Sequence, residues 1–122
     1  MNPDLIRLFP QGIWYYDLPE LLKLYDIGLI LYKGFNENFT YNETNKLFEY
    51  HVCGLDVWFS YETLGIHKYI RQNTFPKIIQ VDYNHLDIFD WRVAIRRDGI
   101  NRSQIDVNCD QVYEAFLQQI IN

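Results

Sequence analysis

The chain has 122 residues, of which 48% are hydrophobic and 17% aromatic; this excludes a disordered polypeptide and suits one domain, residues 1–122, around one core. Its net charge of −5 disfavours nucleic acid as a partner, because phosphate binding needs clustered Lys and Arg. Residues 1–62 hold nine acids against four bases and so carry the whole net charge, which favours a basic partner through faster encounter.

The opening Met1-Asn2-Pro3-Asp4 has no basic stretch followed by an apolar one, so no signal peptide is expected. No apolar run approaches the roughly 20 residues of a membrane span. A cytoplasmic protein without membrane contact follows.

Asn2-Pro3-Asp4 can cap a short helix that Pro10 ends, and Ile13–Tyr16 can form a short strand. Asp17 and Glu20 are spaced as a capping box, and Leu18, Leu21, Leu22 and Tyr25 then share one helical face. That N-terminal helix should stop near Asp26, before Gly28. Ile27–Tyr32 is almost continuously apolar, which suits a strand covered on both sides. Phe39–Tyr41 and Lys46–Val52 flank the turn-rich Asn42-Glu43-Thr44-Asn45, which predicts a hairpin.

Cys53-Gly54 then reads as a second tight turn into the alternating run Leu55–Glu62. A two-residue turn there pairs Val52 with Leu55, Tyr50 with Val57 and Phe48 with Phe59 on an apolar face. On the reverse face it sets His51 opposite Asp56, Glu49 opposite Trp58 and Leu47 opposite Ser60.

Gly65–Asn73 suits a helical turn, with Ile66, Tyr69 and Ile70 inward, ended by Pro76. Lys77–Tyr83 reads as a strand with Ile79, Val81 and Tyr83 inward. Ile88–Arg97 reads as a longer strand with Phe89, Trp91, Val93 and Ile95 inward, returning at Asp98-Gly99 into Ile100–Val107. Asn108, Asp110 and Gln111 open a C-terminal helix with an apolar stripe from Val112 to Ile121. The expected fold is α+β: an antiparallel sheet of five to six strands, with an N-terminal and a C-terminal helix packed mainly on one face.

Motifs of known chemistry are missing. His51, His67 and His85 stand at no metal-ligand spacing, and Cys53 and Cys109 are far apart, as buried free thiols would be. No phosphate loop or nucleophile elbow occurs, so no catalytic residue, metal or cofactor is assigned. Arg92, Arg96, Arg97 and Arg102 gather near Asp98-Gly99, where cross-strand pairing with Asp90, Asp98 or Asp106 accounts for them better than RNA binding does.

The strongest constellation is the reverse face of the expected hairpin. There Glu49, His51, Asp56 and Glu62 surround Trp58, an arrangement suited to anchoring a protein partner and attracting its basic residues. Asp82, Asp87 and Asp90 extend this acidic set. The other use of these residues is bland: Trp58 under a helix and the acids solvated.

A small, acidic, aromatic-rich α+β chain with Glu49, Asp56 and Glu62 beside Trp58 resembles the immunity proteins of bacterial contact-dependent and polymorphic toxin systems. The resemblance is one of type and carries no shared motif. It implies a monomeric cytoplasmic inhibitor that binds a toxin domain, often a basic nuclease, and blocks its active site. The alternative is a small-molecule-binding domain or small enzyme, with some of the ten tyrosines lining a pocket between sheet and helix.

Overall fold

The computed structural model of the chain describes residues 6–96 and 101–102. A 3₁₀ turn, Tyr15–Asp17, runs into helix α1, Leu18–Leu22, where Pro19 sits in the first turn and needs no N–H partner. Strand β1 is Ile27–Ile30. Helix α2, Glu37–Thr40, starts at Asn36, whose side chain accepts from the Phe39 N–H at 3.0 Å. Helix α3, Asn45–Val52, is capped by Thr44, and strand β2 is Asp56–Ser60. A 3₁₀ turn, Leu64–Tyr69, leads to β3, Thr74–Phe75, and then β4, Ile78–Val81. The turn Leu86–Ile88, helix α4, Trp91–Ala94, and strand β5, Asn101–Arg102, follow.

The main sheet has three strands in the order β1-β2-β4, and both pairings are parallel. Its register sets Gly28, Val57 and Ile78 abreast, and Leu29, Trp58 and Ile79 abreast. β3 and β5 pair in parallel as a separate two-stranded ribbon.

This overturns the expected antiparallel sheet of five to six strands. The cause lies in residues 45–52, which form a helix rather than the second arm of a hairpin. A helical crossover between β1 and β2 returns the chain to the same end of the sheet, so the strands must run parallel. The Cys53-Gly54 step is a turn of another kind. Gly54 takes φ +84° and donates to the His51 carbonyl, while the Leu55 N–H reaches back to the Tyr50 carbonyl at 3.0 Å. These are the two bonds of a Schellman motif, which ends α3 instead of folding a hairpin. The pairings of Val52 with Leu55, Tyr50 with Val57 and Phe48 with Phe59 therefore do not form.

Other expectations shift less. β1 and β4 lie inside the strands read at 27–32 and 77–83, and the helical turn after Gly65 is present as 3₁₀ structure. The first helix ends at Leu22 rather than near Asp26. No helix forms over residues 6–9 and no strand over 13–16. Residues 88–96 form no strand. The Asp98-Gly99 turn, the C-terminal helix and Cys109 lie outside the described residues.

The core sits between the sheet and α3. Ile30, Val57, Phe59 and Ile78 pack with Leu47 of α3 and with Ile66, flanked by Phe48, Tyr50 and Tyr69. Leu47 is one turn ahead of His51, and these are the two buried positions of α3. Gly28 lets the helix approach: a Cβ there would stand 2.3–2.8 Å from the Tyr50 ring.

Gly28→Ala should therefore destabilise the fold by roughly 1–3 kcal/mol through overpacking. Urea unfolding measures the loss, and Tyr50→Ala in the same chain should recover part of it.

Candidate partner-binding surface

The residues expected to form one acidic face are distributed over four places. Glu49 and His51 lie on α3, on the core side of the sheet. Asp56 opens β2, Trp58 is at its centre, and Glu62 follows its end. Asp82 follows β4, Asp87 lies in the turn Leu86–Ile88, and Asp90 precedes α4. No pairing of His51 with Asp56, of Glu49 with Trp58 or of Leu47 with Ser60 arises, because residues 45–52 are not a strand beside β2.

Asp56 is structural. It is 1% exposed, and its Oδ1 accepts from the Lys77 backbone N–H at 2.8 Å. The bond locks the start of β4 to the start of β2. Lys77 is buried too, and its ammonium donates to the Ala94 carbonyl at 3.0 Å and to the Arg96 carbonyl. A cation on the last carbonyls of α4 suits the negative end of that short helix. The segment 91–96 is thus moored beside β4.

Trp58 is half-buried. Phe89 meets its ring edge-on at 5.2 Å between centroids, and its Nε1 is buried. The Tyr83 hydroxyl donates to the Trp58 carbonyl at 2.7 Å, and burial pushes the Tyr83 phenol well above its ordinary pKa. Trp58 is therefore partly covered by the chain segment that follows β4.

His51 is buried, with no hydrogen-bond partner for Nδ1 among the described residues. Burial lowers its pKa, and the nearby Arg71 charge lowers it further.

The remaining acids are held by local bonds. The Ser60 hydroxyl donates to Glu62 Oε2 at 3.5 Å. Asp82 contacts His85 Nδ1 at 2.6 Å and accepts from the Asn84 N–H at 3.0 Å, which together hold its carboxyl below the usual range. Asp90 accepts from the Val93 N–H at 3.2 Å and so caps α4.

The segment 82–96 is where acids and exposed apolar groups meet. Ile88 is 80% and Trp91 52% exposed, and Leu86 and Val93 are also exposed. Asp87 and Asp90 lie between them in sequence, with Asp82 at the segment's start. Arg92 stacks over the Trp91 ring at 5.3 Å. The sequence reading placed Trp91 and Val93 in the core on the strength of an alternating pattern. The signal for the observed structure is Asp90: as an N-cap it starts a helix too short to bury a face.

A cleft of about 540 Å³ separates β4 from α4, lined by Gln72, Ile79, Gln80, Phe89, Val93 and Arg96 among others. No tyrosine lines it, so the expected tyrosine-lined cavity is not formed there. Among the described residues no three His, Cys, Asp or Glu side chains are placed to hold a metal ion. No helix among them is long and apolar enough to cross a membrane. No family model, no curated protein and no solved structure matches this chain.

Two tests follow. Asp56→Ala should cost about 1–3 kcal/mol of stability, because the Lys77 N–H loses its acceptor in a dry site; a shift in the urea midpoint measures it. For His51, the unfolded chain takes up a proton near pH ~6.5, whereas the folded chain resists until a lower pH. Stability must then fall as pH drops below about 6.5, and it levels only below the folded pKa, with a slope of up to about 1.4 kcal/mol per pH unit. Urea unfolding at about pH 7.5 and about pH 5 should show this loss, and His51→Gln should remove most of it.

Proposed function

We propose that this chain is an immunity-type protein that binds a basic toxin domain and keeps it from its substrate. The observation that carries this reading is the exposed pair Ile88 and Trp91, set among Asp82, Asp87 and Asp90 on a segment moored to the sheet. Exposed large apolar groups on a segment that also carries acids suit a protein contact. The acids confer attraction to Lys and Arg, and Ile88 and Trp91 supply area to bury. Inhibition by this route needs affinity and no chemistry: an acidic, apolar wedge over a phosphate-binding cleft denies it to nucleic acid.

The contact assignment moves relative to the sequence reading. Asp82, Asp87 and Asp90 stay in it, and Trp91 takes the anchoring role first given to Trp58. Asp56 and His51 are buried and act on stability. Glu49 and Glu62, both half-buried, stand apart from the 82–96 segment in the chain.

The test is growth rescue. Cells expressing the toxic domain encoded by the reading frame beside this one should survive when this protein is co-expressed. Ile88→Asp with Trp91→Asp should abolish rescue while the purified variant keeps wild-type circular dichroism. Asp87→Lys should slow association several-fold with a smaller effect on dissociation. A wild-type protein that neither rescues growth nor binds that domain overturns the reading; full rescue by the double variant relocates the surface.

A further inference from the structure

We infer that Lys77 is the positioning residue of the partner contact: its buried ammonium holds the end of helix α4 beside β4 and so sets how Trp91 is presented. The functional half of the inference rests on the toxin-binding reading; the structural half stands without it.

Helix α4, Trp91–Ala94, cannot stand by itself. It has four residues, whereas an isolated helix shorter than roughly 12 residues is marginal in water. Packing does not make up the difference, since none of its residues is buried. Among the described residues, what holds it is a cap at each end. At its start Asp90 accepts from the Val93 N–H at 3.2 Å. At its end Lys77 Nζ donates to the Ala94 carbonyl at 3.0 Å and to the Arg96 carbonyl. The carbonyls of a last helical turn have no intrahelical donor, and Lys77 supplies one from outside the helix.

Lys77 is placed to position and not to bind. It is 5% exposed, so it is out of a partner's reach. Its own place is fixed through the backbone: its N–H donates to Asp56 Oδ1 at 2.8 Å, and Asp56 opens the central strand β2. A buried ammonium is unfavourable unless its donors are met. Met or Leu would fill a similar volume without that demand, so burial alone does not account for a lysine here. The two carbonyls do.

Trp91 is thereby bracketed. Phe89, just before it in the chain, meets the Trp58 ring at 5.2 Å between centroids. Ala94, after it in the chain, is held by Lys77. Between these two fixed points Trp91 stands 52% exposed. An anchor already in place need not be ordered on binding, and only molecules with the anchor in place bind. Loss of the Lys77 bonds lowers the fraction of such molecules, and the apparent Kd rises by the same factor.

Lys77→Met tests this with two readouts. Amide exchange at Ala94 and Ile95, whose N–H groups donate to the Asp90 and Trp91 carbonyls, should quicken about tenfold or more, while Val57 and Phe59 in β2 keep wild-type exchange. The Kd for the toxic domain encoded beside this chain should rise about tenfold. Lys77→Arg, which keeps donors for both carbonyls, should hold both readouts within about threefold of wild type. If Lys77→Met fails to fold, Ile95→Pro decides: it breaks the same turn from an exposed position and should weaken binding by a similar factor. Unchanged exchange at Ala94 and Ile95 in Lys77→Met overturns the structural half. So does a Lys77→Arg variant that behaves as Lys77→Met, because the donor is then not what matters. Quickened exchange with wild-type affinity overturns the functional half, as does wild-type affinity in Ile95→Pro. A wild type that does not bind the toxic domain overturns the toxin-binding reading and the functional half with it, and the exchange result still judges the structural half.

Discussion

Strand β2 has no free edge, and the rest of the structure is arranged around that constraint. β1 bonds one side of it and β4 the other, and four of its five residues are buried. Val57 and Phe59 fill the core under α3, while Trp58 points to the face that Phe89 partly covers. A buried strand cannot leave polar groups unpaired, and Asp56 meets that demand by accepting the Lys77 backbone N–H. Lys77 in turn holds the end of α4. One buried carboxylate and one buried ammonium thus connect the central strand, the β4 strand and the surface segment 82–96.

How much of this the sequence disclosed can be traced residue by residue. The continuous apolar run at 27–32 and the alternation at 77–83 located β1 and β4, because buried strands differ sharply from their flanks. The run 55–62 located β2 but misled about its neighbours. Asp56 and Ser60 made one face look solvated, whereas both are buried; a polar residue satisfied by a backbone N–H is indistinguishable, in one sequence, from a polar residue in water. The larger error was at 45–52. Leu, Phe, Tyr and Val there suit a strand by propensity, but Thr44 as a cap and the i, i+4 pair Leu47 and His51 carry the helix. Packing of that face on Gly28, Val57 and Phe59 outweighs propensity. Once 45–52 is helical, the parallel sheet follows and every predicted cross-strand pair dissolves.

The candidate surface shows the same division. Net acidity and the group Asp82, Asp87 and Asp90 were readable as chemistry, since charge does not depend on fold. Which tryptophan anchors was not readable, because Trp58 and Trp91 both lie in alternating runs and only tertiary packing separates them. The acidic segment is moored on the β4 side of the sheet.

The central claim is that β2 lies between two parallel strands. Interstrand nuclear Overhauser effects measure it directly. The parallel arrangement predicts contacts from Val57 to both Gly28 and Ile78, with helical chemical shifts over residues 45–52. A close Hα–Hα contact between His51 and Asp56, with extended shifts over residues 46–52, would contradict it.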